Sequence, residues 1–201
     1  GTGKREENLR GYFAAISAMD EQIGRLLDAV EEQGLADNTV ILFTADNGMS
    51  MGQHGVWGKG NGTFPMNMYD SAVKVPFLIS WPGHIPANTV CSEMISACDL
   101  LPTILKLTGL SDKQPTGLPG RSFTELLKGE QGEHRDEVVI FDEYGPVRMI
   151  RTKEWKYVHR YPYGKHELYY LVDDPGEEKN LYGLPEYKKL VTQLKGRMEK
   201  W

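Results

Sequence analysis

A run of four consecutive apolar residues, Val40–Phe43, places the strongest constraint on the fold of this chain. A strand with one face in water alternates apolar and polar side chains, so an unbroken apolar run predicts a strand that is covered on both faces. Residues 8–33 carry apolar side chains at intervals of three and four, which predicts an amphipathic helix that ends at Gly34. Because a helix, a short turn and a buried strand make half of a βαβ unit, we expect an α/β fold with a parallel-type sheet.

A second apolar segment, Val75–Trp81, predicts another buried strand, and Ser96–Thr108 predicts a helix that Asp99 caps. Two parallel strands cannot cover each other's faces, and their outer edges would stay unpaired. Either the sheet contains strands that the pattern does not reveal, or this chain is part of a larger protein.

The C-terminal region has a different pattern. Residues 110–120 contain two prolines and two glycines, so we place a boundary there and expect residues 1–112 to end the α/β domain. Residues 113–201 predict a small antiparallel sheet whose strands are Val138–Tyr144, Val147–Thr152, Trp155–Tyr161 and His166–Leu171. A closing helix is predicted by an apolar stripe of Tyr187, Leu190, Val191, Leu194, Met198 and Trp201.

Composition and charge argue against nucleic-acid binding and against a membrane span. The chain has 201 residues, a formal net charge of −5 and a pI near 5.6, so it lacks the basic surface that binds nucleic acid. No apolar run approaches the roughly 18 residues that a membrane span needs. Cys91 and Cys98 form no metal-binding motif and are interpreted as two ordinary thiols. We therefore expect no nucleic acid partner and no membrane span.

Polar residues follow the first strand directly, at Asp46-Asn47-Gly48. In open α/β sheets, ligands bind at the carboxyl ends of the strands. A carboxylate and an amide oxygen are hard donors, which suit Ca²⁺ or Mg²⁺ better than zinc. The same three residues also have the composition of an ordinary turn, and the triplet alone does not separate the two interpretations.

The loop after this triplet is rich in glycine. Six of the 17 residues 46–62 are glycine, about three times the density in the whole chain, and glycine lets a backbone fold closely around a ligand. The same loop contains His54, which can transfer a proton, and Lys59, whose positive charge suits an oxyanion. It is not a Walker phosphate-binding motif, because Gln53 replaces the first glycine and Gly60 replaces the Ser or Thr.

Several segments resemble the sulfatases of the alkaline-phosphatase superfamily. TADNG (44–48), with GQHGVWGK (52–59) after it, resembles the second metal-binding segment and the sulfate-binding lysine of that family. Further similar segments follow in order, and they are YDSAVKVPFLISWPG (69–83), DLLPTIL (99–105), LPGRSF (118–123), RMIRTKEWKYV (148–158) and ELYYLVDDPGEEKNL (167–181). Their number and order identify the chain as a member of the family over nearly its whole length.

The resemblance implies roles for four residues. Asp46 and Asn47 would be metal ligands, for Ca²⁺ or alternatively Mg²⁺. Lys59 would contact the sulfate and the leaving-group oxygen, and His54 occupies a position where many members have a polar residue near the substrate. Lys59 and His54 are thus the expected catalytic and substrate-binding residues. The family hydrolyses sulfate esters through a formylglycine hydrate, made from the Cys or Ser of a C/S-x-P-S-R motif. A sulfated small molecule or saccharide, most simply a sulfated sugar, is the expected substrate.

This chain departs from the family pattern because it lacks the C/S-x-P-S-R motif, and neither Cys91 nor Cys98 lies in one. The N-terminal acidic pair of the metal site is also missing, and Ca²⁺ takes ~6–8 oxygen ligands. The resemblance therefore implies the C-terminal part of an alkaline-phosphatase-like sandwich. Residues 1–112 would come from its catalytic domain, and residues 113–201 would form the small antiparallel C-terminal subdomain.

We expect this fragment to be inactive alone, with the missing N-terminal half of the same protein as its partner. The apolar surface of the first helix and of Val40–Phe43 would pack against that half, or would be covered in a homodimer. Two other functions stay open. One is a phosphonate or phosphate-ester hydrolase of the same superfamily, because a lysine beside a metal suits a phosphoryl group equally well. The other is a non-catalytic binding module that has lost the nucleophile.

Overall fold

The computed structural model describes residues 4–132, 135–142, 147–162 and 164–201. These residues fall into two compact units, with the division between Ala87 and Asn88. The sequence predicted a different kind of boundary, the end of a catalytic domain between residues 112 and 113. The division into two compact units does not test it, so it stays a prediction. Among the described residues, no helix has both the length and the apolar character needed to cross a membrane.

The first unit begins with a long helix, α1 (Arg5–Glu32), as the apolar periodicity predicted. Gly34 follows its end in the left-handed conformation, at φ 65°, which glycine adopts without steric cost. No described residue of α1 is buried, and Phe13 and Leu26 keep 59% and 67% of their surface exposed. The apolar stripe that predicted the helix therefore stays largely uncovered.

Strand β1 (Ile41–Thr44) pairs with β4 (Phe77–Ser80), each within two residues of its predicted position. The two strands are antiparallel, so the expectation of parallel pairing was wrong for them. The prediction that both strands are buried on both faces was also wrong, because no residue of either strand is buried and Leu78 of β4 keeps 59% of its surface exposed. An apolar run carries no information about the direction of the neighbouring strand. The short elements between them are β2 (Ser50–Met51), β3 (Trp57–Gly58) and α2 (Asp70–Val73).

The second unit contains the four-stranded antiparallel sheet that the sequence predicted. Its strands pair in chain order, and they are β5 (Glu137–Phe141), β6 (Val147–Thr152), β7 (Trp155–Arg160) and β8 (Glu167–Tyr170). The last two residues of the predicted strand Val138–Tyr144 lie outside the described residues. Helix α5 (Lys188–Met198) packs on this sheet, and their shared core is formed by Val139, Ile150, Tyr157, Leu168, Leu181, Leu194 and Met198.

Two shorter helices, α3 (Leu100–Leu107) and α4 (Thr124–Leu127), complete the second unit. A 3₁₀ turn with a capping box precedes α3. In this box the Ser96 side chain accepts from the Asp99 backbone, and the Asp99 carboxylate accepts from the Ser96 backbone at 2.9 Å. The sequence predicted Asp99 as the cap of the helix. Asp99 does occupy the position before α3, but its side chain makes no capping bond there, and Ser96 caps the preceding 3₁₀ turn while Asp99 completes the box.

Candidate functional site

The predicted metal ligands Asp46 and Asn47 lie just past the carboxyl end of β1. The Thr44 hydroxyl donates to the carbonyl of Pro76 at 2.9 Å, which keeps the strand end beside β4. The Gly48 backbone N–H donates to the Ala72 carbonyl at 2.8 Å, so the turn rests against helix α2. These bonds hold both ends of the Asp46-Asn47 turn within the first unit.

The structure brings Asn47 and Lys59 together. Lys59 Nζ donates to Asn47 Oδ1 at 3.3 Å, and Asn47 Nδ2 donates to the Gly48 carbonyl at 2.9 Å. The second bond fixes the orientation of the amide, so its oxygen points toward positive charge. An oxygen in that orientation can also bind a cation, and the lysine ammonium beside it can bind an anion.

Asp46 is exposed, and its carboxylate makes no hydrogen bond or ion pair within the described ranges. Asp46 and Asn47 fit Ca²⁺ or Mg²⁺ in kind, because both offer hard oxygen donors. They do not fit in number, since Ca²⁺ takes ~6–8 oxygens. The described part of the chain contains no cluster of three or more His, Cys, Asp or Glu residues that would complete the site.

His54 lies at the turn of the short hairpin formed by β2 and β3. It adopts the left-handed conformation, at φ 54° and ψ 20°, which is uncommon for a residue other than glycine. Its imidazole stacks on the ring of Tyr69, with the ring centroids 3.6 Å apart and an interplanar angle of 4°. Among the described residues, His54 makes no hydrogen bond to Asn47 or Lys59, so the structure does not join all of the predicted residues directly.

Sequence reasoning missed the hairpin itself, because its strands have only two residues each. Ser50 pairs with Gly58, and Met51 pairs with Trp57. The Ser50 side chain is fully buried, and its hydroxyl shares a hydrogen bond of 2.8 Å with the hydroxyl of Ser71. The available signal was the set of glycines, which here permit the backbone turns of the hairpin.

Asn67 is a second residue that the sequence pattern did not reveal. Its side chain is 2% exposed, and Nδ2 donates to the carbonyl oxygens of Gly60 at 3.1 Å and Lys59 at 3.4 Å. No donor among the described residues reaches its Oδ1 atom, which is also buried. A polar residue in a loop carries no local signal of such a role, since most are solvated.

In the second unit, the structure brings His159 and His166 together, which the sequence analysis also missed. Their rings stack with centroids 4.5 Å apart, and the Tyr157 hydroxyl lies 2.9 Å from His159 Nδ1. Burial lowers the pKa of both histidines and raises the pKa of Tyr157. Two neutral imidazoles and a neutral phenol are therefore favoured near neutral pH.

Residues 52–201 match the family described as N-sulphoglucosamine sulphohydrolase, C-terminal. An ulvan-active sulfatase of Formosa agariphila is 32% identical over 207 residues, which include 98% of this chain and 39% of that protein. The chain thus spans about two fifths of the length of this curated relative.

Solved structures show the same relationship. A sulfatase from a glycosaminoglycan-metabolism locus of Bacteroides thetaiotaomicron is 28% identical, with a TM-score of 0.82 over 99% of this chain and 44% of that one. The phosphonate monoester hydrolase of Agrobacterium radiobacter is also 28% identical, with a TM-score of 0.80 over 94% of this chain and 40% of that one. With the family match over about three quarters of its length, the chain belongs to the sulfatase family of the alkaline-phosphatase superfamily and has the fold of its C-terminal part.

Proposed function

We propose that this chain is the C-terminal part of a sulfatase that hydrolyses the sulfate ester of a saccharide. The observation that carries the proposal is the contact of the Lys59 ammonium with the Asn47 amide oxygen, beside Asp46 at the end of β1. A positive charge next to hard oxygen donors suits a sulfate that binds together with a divalent cation. The relatives named as ulvan-active and as belonging to glycosaminoglycan metabolism support a saccharide substrate.

In this proposal, Asp46 and Asn47 are two ligands of a Ca²⁺ site, with Mg²⁺ as the alternative. A bound cation would supply positive charge to the sulfate oxygens. Lys59 stabilises negative charge on the sulfate and on the leaving-group oxygen as the ester bond breaks. His54 donates a proton to that oxygen, so the alcohol leaves in its neutral form.

The group that attacks the sulfur does not come from this chain, because its sequence contains no C/S-x-P-S-R motif. We expect the formylglycine and the remaining metal ligands in an N-terminal part of the same protein. The coverage of only about two fifths of the ulvan-active relative supports this arrangement. The 201-residue chain alone should therefore be inactive.

The test compares the complete protein with the isolated chain on aryl sulfates and sulfated monosaccharides. The complete protein should hydrolyse them, and Lys59→Ala should lower kcat by about 10²–10³-fold, since it removes a charge that stabilises the transition state. Lys113→Ala removes an exposed lysine of the second unit and serves as the control. Hydrolysis by the isolated chain, or full activity of Lys59→Ala, would contradict the proposal.

A phosphonate or phosphate-ester hydrolase is the second candidate, and the structural match to the Agrobacterium radiobacter enzyme favours it. Lys59 and the Asp46-Asn47 pair suit a phosphoryl oxygen as well as a sulfuryl oxygen, so this site does not separate the two substrates. Rates on sulfate, phosphate and phosphonate esters of one alcohol decide between them. A kcat/KM that is highest for the phosphonate ester would replace the sulfatase proposal.

A further inference from the structure

One three-residue segment, Asn67–Tyr69, contacts both of the predicted catalytic residues. The Asn67 amide contacts the backbone of Lys59, and the Tyr69 ring contacts the imidazole of His54. Neither Asn67 nor Tyr69 has a role in the proposed function above. The two contacts raise the question of what this segment does for the site.

The Asn67 side chain closes a nine-residue loop onto Lys59. Its Nδ2 faces two carbonyl oxygens, those of Lys59 and Gly60, and its own backbone N–H donates to Gly60 at 3.0 Å. Exchanging the positions of Oδ1 and Nδ2 is excluded, because the amide oxygen would then face two carbonyl oxygens, and all three are hydrogen-bond acceptors. It keeps this orientation although Oδ1 is buried and receives no donor from the described residues. Buried polar atoms without a partner are rare in native structures, so the Asn67 side chain calls for an explanation.

The Lys59 backbone is held on both sides as a result. On its N-terminal side, Gly58 pairs with Ser50 in the β2–β3 hairpin. On its C-terminal side, the Lys59 carbonyl accepts from Asn67 Nδ2 and from the Gly62 backbone at 2.8 Å. With the backbone fixed, rotation of the side chain alone decides where the ammonium lies, and it reaches Asn47.

The Tyr69 ring holds His54 in a comparable way. His54 is exposed and its backbone is in the left-handed region, so the local chain does little to restrain the imidazole. The parallel stack at 3.6 Å restricts the ring to one plane. A proton donor in a fixed plane meets the geometric condition for proton transfer to a bound ester.

We infer that Asn67 and Tyr69 are positioning residues of the active site, Asn67 through Lys59 and Tyr69 through His54. This inference rests on the proposed function. Asn67 sets where the ammonium meets the oxyanion, and Tyr69 sets the plane of the imidazole at the leaving group. Neither residue touches the ester itself in this assignment.

The kinetic test uses the complete protein and double-mutant cycles. Asn67→Ala should lower kcat by up to about 10²-fold, because a misplacement of about 1 Å has an effect of that size. In a Lys59→Ala background, Asn67→Ala should have no further effect, since there is no ammonium left to position. Asn61→Ala, an exposed asparagine in the same loop, is the matched control. Full activity of Asn67→Ala, or effects of Asn67→Ala and Lys59→Ala that simply multiply, would overturn the role of Asn67.

If Asn67→Ala fails to fold, Asn67→Ser replaces it, because a hydroxyl keeps one donor at this position. The same cycle then applies to the serine variant. For the second residue, Tyr69→Leu should lower kcat in the wild-type background and have no effect in a His54→Gln background. Tyr69→Phe keeps the stacked ring and should keep the rate.

An NMR measurement tests Tyr69 without using activity. The His54 Hε1 resonance, identified by its loss in His54→Gln, should move downfield in Tyr69→Leu, because the ring current of the stacked tyrosine disappears. Tyr69→Phe should leave it in place. An unchanged resonance in Tyr69→Leu would overturn the role of Tyr69. If the complete protein hydrolyses no sulfate, phosphate or phosphonate ester, the proposed function fails, and the resonance still decides whether Tyr69 positions His54.

Discussion

At the scale of single residues, Gly48 has no space for a side chain. A Cβ atom at this position would lie 2.2 Å from the carbonyl oxygen of Ser71, and a backbone oxygen cannot move aside as a flexible side chain would. Because Gly48 lies this close to α2, its backbone N–H can donate a hydrogen bond to the Ala72 carbonyl at 2.8 Å. The absence of a side chain therefore lets the turn with Asp46 and Asn47 rest on α2.

We expect Gly48→Ala to lower the free energy of unfolding by about 1–3 kcal/mol, because overpacking forces the backbone apart. Gly24→Ala is the control, since the same methyl group at Gly24, inside α1, meets no atom within 4 Å. That change should raise the free energy of unfolding by about 0.5–1 kcal/mol through lower flexibility of the unfolded chain. Denaturant unfolding of both variants measures the free energy of unfolding. An unchanged value in Gly48→Ala would contradict the clash.

Asp99 and Arg135 form a buried ion pair in the second unit. The Arg135 guanidinium donates to both carboxylate oxygens of Asp99, at 2.6 Å from Nε, and the Arg121 backbone N–H donates to the same carboxylate at 2.8 Å. Burial opposes the ionised form of Asp99, but the hydrogen bonds from Arg135, Arg121 and Ser96 outweigh it and lower the pKa of the carboxyl. The pair joins the start of α3 to the start of the sheet region.

Asp99→Asn should lower the free energy of unfolding by about 3–5 kcal/mol, because it leaves the buried Arg135 charge without its partner. Denaturant titration at neutral pH measures the loss. Lys113→Ala breaks the exposed pair of Lys113 with Asp112 and should change stability by less than about 1 kcal/mol. Equal effects of the two substitutions would show that the buried pair contributes no more than a surface contact.

At the scale of elements, His159 of strand β7 stacks on His166, the residue that directly precedes strand β8. The Arg160 backbone N–H donates to His166 Nδ1 at 2.9 Å, so this nitrogen must stay unprotonated. Burial lowers the pKa of His159, and the charges of His166 and Lys195 lower it further. Burial also lowers the pKa of His166, with added effects from Lys195 and Arg160. Both rings are therefore favoured in the neutral form in the folded chain.

The free energy of unfolding should depend on pH through these two rings. Their folded pKa values lie below the unfolded value of 6.5, so the unfolded chain binds more protons in the interval between. Stability should therefore rise with pH through that interval, reach its full value above 6.5 and fall as the pH decreases. Denaturant unfolding at a series of pH values from about 5 to 8 measures the slope.

A His166→Gln variant should reduce this slope, since the amide oxygen can still accept from the Arg160 N–H but does not titrate. His84→Gln changes an exposed histidine of the first unit and is the control. A stability that decreases as the pH rises from about 5 to 7 would contradict the assignment of neutral rings.

At the scale of the whole molecule, the apolar stripe of α1 stays largely uncovered, with none of its described residues buried. Phe13 and Leu26 are more than half exposed, and Met19 keeps 46% of its surface exposed. Soluble proteins rarely leave a patch of this kind open unless another surface binds it. The expected N-terminal half of the protein is the proposed cover, and a homodimer is the alternative.

The isolated chain should bind a hydrophobic dye or self-associate, and it should do so more than the complete protein. Phe13→Ser combined with Leu26→Ser should reduce both effects, because they remove the two most exposed apolar side chains of the helix. Dye fluorescence and sedimentation velocity make the comparison. A monomeric isolated chain that binds no dye would show that this face needs no partner.

Much of this molecule follows from local patterns. The extent of α1, the antiparallel sheet β5–β8 and the stripe of α5 all come from the spacing of apolar side chains, which depends only on neighbours in the chain. The candidate residues Asp46, Asn47, His54 and Lys59 came from residue type and local glycine density, and their roles stay predictions. Patterns of this kind say which residues are buried or polar, without saying what they touch.

The contacts between distant residues follow from the three-dimensional packing of the chain. The antiparallel direction of β4, the contact of Lys59 with Asn47, and the contacts of Asn67 and Tyr69 with the predicted pair join residues that lie 8 to 39 positions apart. Such contacts depend on the backbone path through the β2–β3 hairpin and the loop after it, and a path of that kind is set by long-range packing and not by residue spacing. Local sequence patterns were enough to identify the family and the candidate residues, and the three-dimensional arrangement shows which of these residues are in contact.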